Sequence, residues 1–143
     1  MKKIALFFLI IIIIIVGVSY IYLNYKASYN NAKRENMQFE SYYNKEIYGT
    51  ELTTIINKAI DSNDNNEISK DEKVKYIDNK KNSINIDIKI KDNDKTYQME
   101  TLYNGGMDKF VQYYSQIEFK CTKIEYHKYT NRVKYMLFEQ MTQ

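Results

Sequence analysis

Ile84-Asn85-Ile86-Asp87-Ile88-Lys89-Ile90-Lys91 is the stretch that decides the fold. Isoleucine alternates with a polar or charged residue, and successive side chains of a strand point to opposite faces. One face is therefore dry and the other wet, the pattern of a sheet covered on one side. Asp92-Asn93-Asp94 follows as a turn, and Tyr97, Met99 and Thr101 continue as the paired strand until Asn104-Gly105-Gly106 ends it. Met107, Phe110, Val111 and Tyr114 then suggest a short helix. Ile117, Phe119 and Cys121 alternate, and so do Ile124, Tyr126 and Lys128, but with opposite parity, which predicts a bulge near Thr122 and Lys123. Tyr129-Thr130-Asn131-Arg132 turns the chain, and residues 133–138 return as the last strand.

Upstream, Leu52, Ile55, Ile56, Ala59 and Ile60 fall at i, i+3, i+4, i+7 and i+8, an amphipathic helix that should bury against the sheet. Gly49 would stop the helix before it, and Thr50 would cap this one. The fold class read from these patterns is α+β. A long N-terminal transmembrane and stalk helix precedes an antiparallel sheet carrying one or two packed helices. About half of the 15 tyrosines are expected in the core.

Between that helix and the alternating strand lies Asp61-Ser62-Asn63-Asp64-Asn65-Asn66-Glu67-Ile68-Ser69-Lys70-Asp71-Glu72, which resembles the twelve-residue calcium loop of an EF-hand. Asp61, Asn63 and Asn65 stand at loop positions 1, 3 and 5, Glu72 at the bidentate position 12, and Ile68 at the apolar position 8. Asn66 replaces the usual glycine at position 6, and no second copy follows. The competing reading is an acidic, Asn-rich turn between helix and sheet.

Nothing else in the chain assembles a reactive constellation. Cys121 and His127, each single in its type, sit six apart on one predicted strand, roughly 20 Å from one another at the strand rise. Cys121 reads as a small buried residue and His127 as a surface residue near a turn. Asp92 with Asp94, and Asp71 with Glu72, read as solvated turn charges, and Asn104-Gly105-Gly106 as a helix-starting turn rather than an anion nest. No catalytic, cofactor-binding or metal-ligating residue is assigned. With Lys2 and Lys3 set aside, 19 basic residues face 18 acidic ones and interleave with them, so no stripe suits nucleic acid. One cysteine forms no internal disulfide.

The N-terminus supplies the address. Met1-Lys2-Lys3 precedes an uncharged run with six consecutive isoleucines at 10–15, and the first charge after it is Lys26. Residues 4–23 as a helix would span about 30 Å, the thickness of a bilayer's hydrocarbon core. A cleaved signal peptide is the competing reading, with small residues at Gly17-Val18-Ser19. Tyr20, Tyr22 and Tyr25 instead suit an interfacial belt and an uncleaved anchor. Lys2 and Lys3 abut the run as in an export signal, which puts the N-terminus inside and the body outside. With no glycine between Gly17 and Gly49 and no proline at all, the helix is expected to run to about Lys45. The expected divisions are 1–25 anchor, 26–47 helical stalk and 48–143 extracytoplasmic domain.

Four stretches together resemble an uncharacterised family of small single-pass envelope proteins from low-GC Gram-positive bacteria. They are Tyr48-Gly49-Thr50-Glu51-Leu52, Ile56-Asn57-Lys58-Ala59-Ile60-Asp61, Met99-Glu100-Thr101-Leu102-Tyr103-Asn104-Gly105-Gly106 and Phe119-Lys120-Cys121-Thr122-Lys123-Ile124-Glu125-Tyr126-His127. The resemblance implies a membrane-anchored layout and no known activity. The layout is also similar to that of pilins, without their processing site. The expected function is a non-enzymatic interaction or assembly module of the cell envelope, partnered with the membrane through residues 4–23 and with another envelope protein or itself. The alternative is a calcium-responsive sensor or adhesion module using the 61–72 loop.

Overall fold

A computed structural model describes residues 2–92 and 94–141. The element order is α1 (Lys2–Glu40), β1 (Glu46–Tyr48), α2 (Gly49–Asn65), β2 (Asn85–Ile90), β3 (Lys95–Gln98), α3 (Met99–Tyr114), β4 (Glu118–Tyr126) and β5 (Val133–Gln140). This is an α+β fold. The chain divides into two compact units, Met1–Arg34 and Glu35–Gln143.

The first unit is helix throughout its described residues. It contains a segment long and apolar enough to cross a membrane, with none of that segment buried. A signal sequence has the same length and composition.

The second unit begins with the last turns of α1, which ends at Glu40 rather than near Lys45. The Glu46–Tyr48 strand, which local periodicity does not show, takes up the chain that follows. The sheet order is β1-β4-β5-β2-β3. Three pairings are antiparallel, but β2 and β5 run parallel. The expected sheet was antiparallel, and the difference comes from the crossover through α3. That crossover sets β4 two places from β2, and β5 fills the gap antiparallel to β4, hence parallel to β2.

The isoleucine alternation holds. Ile86, Ile88 and Ile90 are buried, with Met136 and Phe138 of β5, Phe119 and Cys121 of β4, and Ile47 of β1. The register shifts between Cys121 and Lys123, where the change of parity placed a bulge. Leu52, Ile55, Ile56 and Ala59 of α2 are fully buried, and the larger of these contribute about 1.5–3 kcal/mol each on leaving water. Tyr76 is the one buried tyrosine among the described residues, so the core is built of Ile, Phe and Met rather than half the tyrosines.

Three local expectations are corrected. Tyr48, not Thr50, precedes α2 in extended conformation, and Glu51 accepts a hydrogen bond from the Tyr48 amide at 3.3 Å. Met99 and Thr101 belong to α3, not to the paired strand, which stops at Gln98. Asn104-Gly105-Gly106 lies inside α3, where Gly106 (φ 94°, ψ 108°) breaks it into two helical pieces at an angle only glycine adopts freely. The turn after β2 is present, with Asp94 N donating to Lys91 O at 3.3 Å, although Asn93 lies outside the described residues.

Gly49 stands where the start of α2 meets the end of α3. Its amide donates to Ile117 O at 3.0 Å, and a Cβ there would come within 2.0 Å of the Tyr114 carbonyl oxygen. Gly49→Ala should therefore lower unfolding free energy by about 3 kcal/mol, because the obstructing atom is backbone. At Gly105 a Cβ meets nothing within 4 Å. Gly105→Ala should leave stability unchanged or raise it by up to about 1 kcal/mol. Denaturant midpoints of the two variants check both statements, and equal midpoints would refute the first.

Candidate functional site

The 61–72 segment does not form a calcium loop. Asp61, Asn63 and Asn65, the supposed ligands at positions 1, 3 and 5, all lie within α2. Asn63 extends the apolar face of that helix by one more turn and is fully buried. Its Nδ2 donates to Ile84 O and its Oδ1 accepts from Ile84 N, both at 2.8 Å. An oxygen held in that way is not offered to an ion. Asp64 accepts from the Tyr76 hydroxyl at 2.7 Å and pairs with Lys70 at 3.0 Å. Asn66 Nδ2 donates to Ser62 O at 2.7 Å. Among the described residues no group of three His, Cys, Asp or Glu side chains is placed to hold a metal. The Asn-rich turn is the reading that the geometry supports.

The connection from α2 to β2 is instead tied by amides and hydroxyls. Asn79 Oδ1 accepts from the amides of Lys81, Asn82 and Ser83 at 2.9, 2.8 and 3.1 Å. Asn82 Nδ2 donates to Asn66 Oδ1 at 2.9 Å. The Ser83 hydroxyl donates to Asp78 at 2.8 Å, and Asp78 pairs with Lys134 at 2.7 Å. Burial works against the Asp78 charge, but the hydrogen bonds from Lys134 and Ser83, with the charges of Lys134 and His127, outweigh it and lower its pKa.

His127, expected at the surface, is buried. Its Nε2 lies 2.7 Å from Ser83 O, so that nitrogen carries the hydrogen. A histidine, a serine and an aspartate thus meet here. The imidazole nonetheless bonds the Ser83 carbonyl, not its hydroxyl, and the hydroxyl is spent on Asp78, so the nucleophile–base hydrogen bond of a triad is not formed. The sequence carries no local signal for this burial, since the partner is 44 residues away. Cys121 is fully buried as expected, and burial pushes its thiol up to about 11.

Two hollows remain. An apolar groove of about 220 Å³ lies under the kink of α3, walled by Ile90, Tyr97, Leu102, Phe110 and Tyr114, with Tyr113 exposed at its rim. Phe110 and Tyr114 stack at 5.1 Å, so this wall is aromatic surface. A second cavity of about 320 Å³ is polar and is lined from the 66–84 connection, β2, β5 and the start of α3. Neither hollow contains Asp61, Asn63, Asn65 or Glu72. Compared with family models, curated proteins and solved structures, the chain has no significant match.

Asn63→Ala should cost about 3 kcal/mol, because it leaves the buried Ile84 amide and carbonyl without partners. Millimolar calcium should leave the melting temperature of the native chain unchanged, and a calcium-dependent rise would restore the ion-binding reading. Alkali offers a second check. Burial, then the hydrogen bond to Asp64, pushes Tyr76 up to about 12. A group whose folded pKa is raised contributes stability below its unfolded value near 10, lost as pH rises through the folded value. Stability should accordingly fall between about pH 10 and 12, less steeply in Tyr76→Phe, as read from denaturant midpoints across that range.

Proposed function

We propose that the chain is a single-pass membrane protein, N-terminus inside, whose α+β unit lies outside the cytoplasm and serves as a non-enzymatic interaction or assembly module. The observation that carries the proposal is the N-terminal segment. From Ile4 to Leu23 its large apolar side chains are almost all exposed, an arrangement stable in lipid and costly in water. Tyr20, Tyr22 and Tyr25 cluster at the C-terminal end of this segment, as an interfacial belt would.

The interaction part of the reading is supported by what the reactive side chains do. Cys121 is buried, His127 holds a backbone carbonyl and the Ser83 hydroxyl holds Asp78. The apolar groove under α3, with its aromatic walls, has the character of a surface that receives a side chain from another protein. A partner in the same envelope, or a second copy of the chain, is the expected occupant class.

Expressed in a bacterial cell, the full chain should sediment with membranes, resist carbonate extraction and keep its intact mass. Ile12→Lys with Ile14→Lys should release it, since each central lysine costs about 3 kcal/mol of insertion. A C-terminal alkaline phosphatase fusion should be active. A shortened mass would establish a cleaved signal, a soluble chain would remove the anchor, and an inactive fusion would reverse the orientation.

A further inference from the structure

We propose that the apolar groove under the kink of α3 receives α3 of a second copy of this chain, in a two-fold dimer that seats Tyr113 of each copy in the groove of the other. The inference rests on the reading of the domain as an interaction module and deepens it by naming the partner.

The groove is a socket without a plug. Gly106 breaks α3, and a Cβ at Gly105 or Gly106 would meet nothing within 4 Å, so the backbone there faces open space. Ile90, Leu102 and Phe110 supply apolar wall around about 220 Å³. An apolar cavity of about 150 Å³ accepts a benzene ring, so one aromatic side chain fits here. Tyr113 stands at the rim of the same groove and is 71% exposed, a large ring left in water. The socket and a ring able to fill it therefore lie on one helix. An isologous interface sets a single patch against itself and needs both parts on that patch, whereas an unrelated partner needs only the socket.

The charges of the patch are self-complementary in the same sense. Lys109 is the one charged residue lining the groove, and Asp108 precedes it on the same exposed turn. Neither side chain enters an ion pair among the described residues. A two-fold axis that brings α3 against α3 sets Lys109 of each copy beside Asp108 of the other. A patch carrying both signs in this way favours a copy of itself over a partner of one strong sign.

The contact is small. One broken helix offers less than the roughly 800 Å² per partner of a standard interface, so the dimer should be weak in dilute solution. Anchoring all copies in one membrane raises their effective concentration and compensates for that weakness.

Sedimentation equilibrium of the full chain in detergent micelles, over a range of protein-to-detergent ratios, tests the proposal. A reversible monomer–dimer equilibrium is expected. Tyr113→Ala should weaken it by about tenfold or more with the melting temperature unchanged, since the ring is exposed. Lys109→Asp should weaken it by about threefold or more, because like charges then meet. The swap Asp108→Lys with Lys109→Asp should restore it to within about twofold of the native chain. That rescue is specific to a partner carrying the same swap. A chain that stays monomeric, whether its groove is empty or native mass spectrometry finds a lipid in it, would overturn the proposal. So would a larger oligomer, a dimer indifferent to Tyr113→Ala, or a swap as weak as Lys109→Asp alone. Fractionation reads the anchor separately. A monomer that sediments with membranes removes this inference and leaves the anchor, whereas a dimer in the soluble fraction removes the anchor and leaves this inference.

Discussion

Three buried side-chain amides hold the central parallel pair of strands at both ends. Parallel strands cannot be joined by a tight turn, so nothing in their own connection fixes where each begins. At the start of β2, Asn63 of α2 takes both the amide and the carbonyl of Ile84. At the start of β5, Asn36 of α1 does the same with two neighbours, donating to Asn131 O at 2.7 Å and accepting from Val133 N at 2.9 Å. At the far end, Gln140 of β5 accepts from Lys91 N and donates to Asp92 Oδ2, both at 2.9 Å. Asn63 and Asn36 each behave as an extra peptide group, satisfying backbone at a strand start, while Gln140 ties the Lys91 amide to the Asp92 carboxylate. The β2–β5 register, and with it the alignment of Ile86 and Ile88 with Met136 and Phe138, depends on these grips.

The same grips explain what the sequence conceals. Asparagine at position 63 reads as a calcium ligand when weighed with Asp61, Asn65 and Glu72, yet it also sits on the i+3 and i+4 continuation of Leu52, Ile56 and Ala59. Helical periodicity carried one turn further places it inside, where its amide must find backbone. The isoleucine alternation, the α2 face, the apolar N-terminal run and the bulge after Cys121 were legible because each is a local period or a break in one. The β1 strand, the parallel pairing and the burial of His127 were not. Each is decided by a partner far along the chain: Ile47 by Phe119, Asp87 by Leu137, and His127 by Ser83. Glycine was ambiguous for another reason. Gly105-Gly106 marks a break in any element, and the residues around it do not say whether a strand ends or a helix bends.

The polar cavity was equally invisible from sequence. Asp71, Asp87 and Glu100 come from a connection, a strand and a helix, and no spacing rule joins them. Their separate surroundings also differ. Asp71 closes its own turn, Asp87 has a tyrosine hydroxyl, and Glu100 grips the Tyr76 amide. What unites them is only the wall they share once the 66–84 connection has been pinned by Asn63, Asn79 and Tyr76.

The wet face of the sheet offers little for a second chain to hold along the strands. One transverse row runs Glu46, Lys120, Glu139, Lys89, Thr96, each directly paired with the next. The signs alternate, and Lys89 approaches Glu139 at 3.9 Å. Opposite charges across strands each contribute a few tenths of a kcal/mol, while the same row presents no apolar surface to a neighbour. The sheet ends in its two shortest strands, β1 with three residues and β3 with four. Short edges offer little backbone for another chain to extend. An adhesive surface, if the domain uses one, is therefore better sought on the helical side, where the kink at Gly106 opens aromatic walls, than along the sheet.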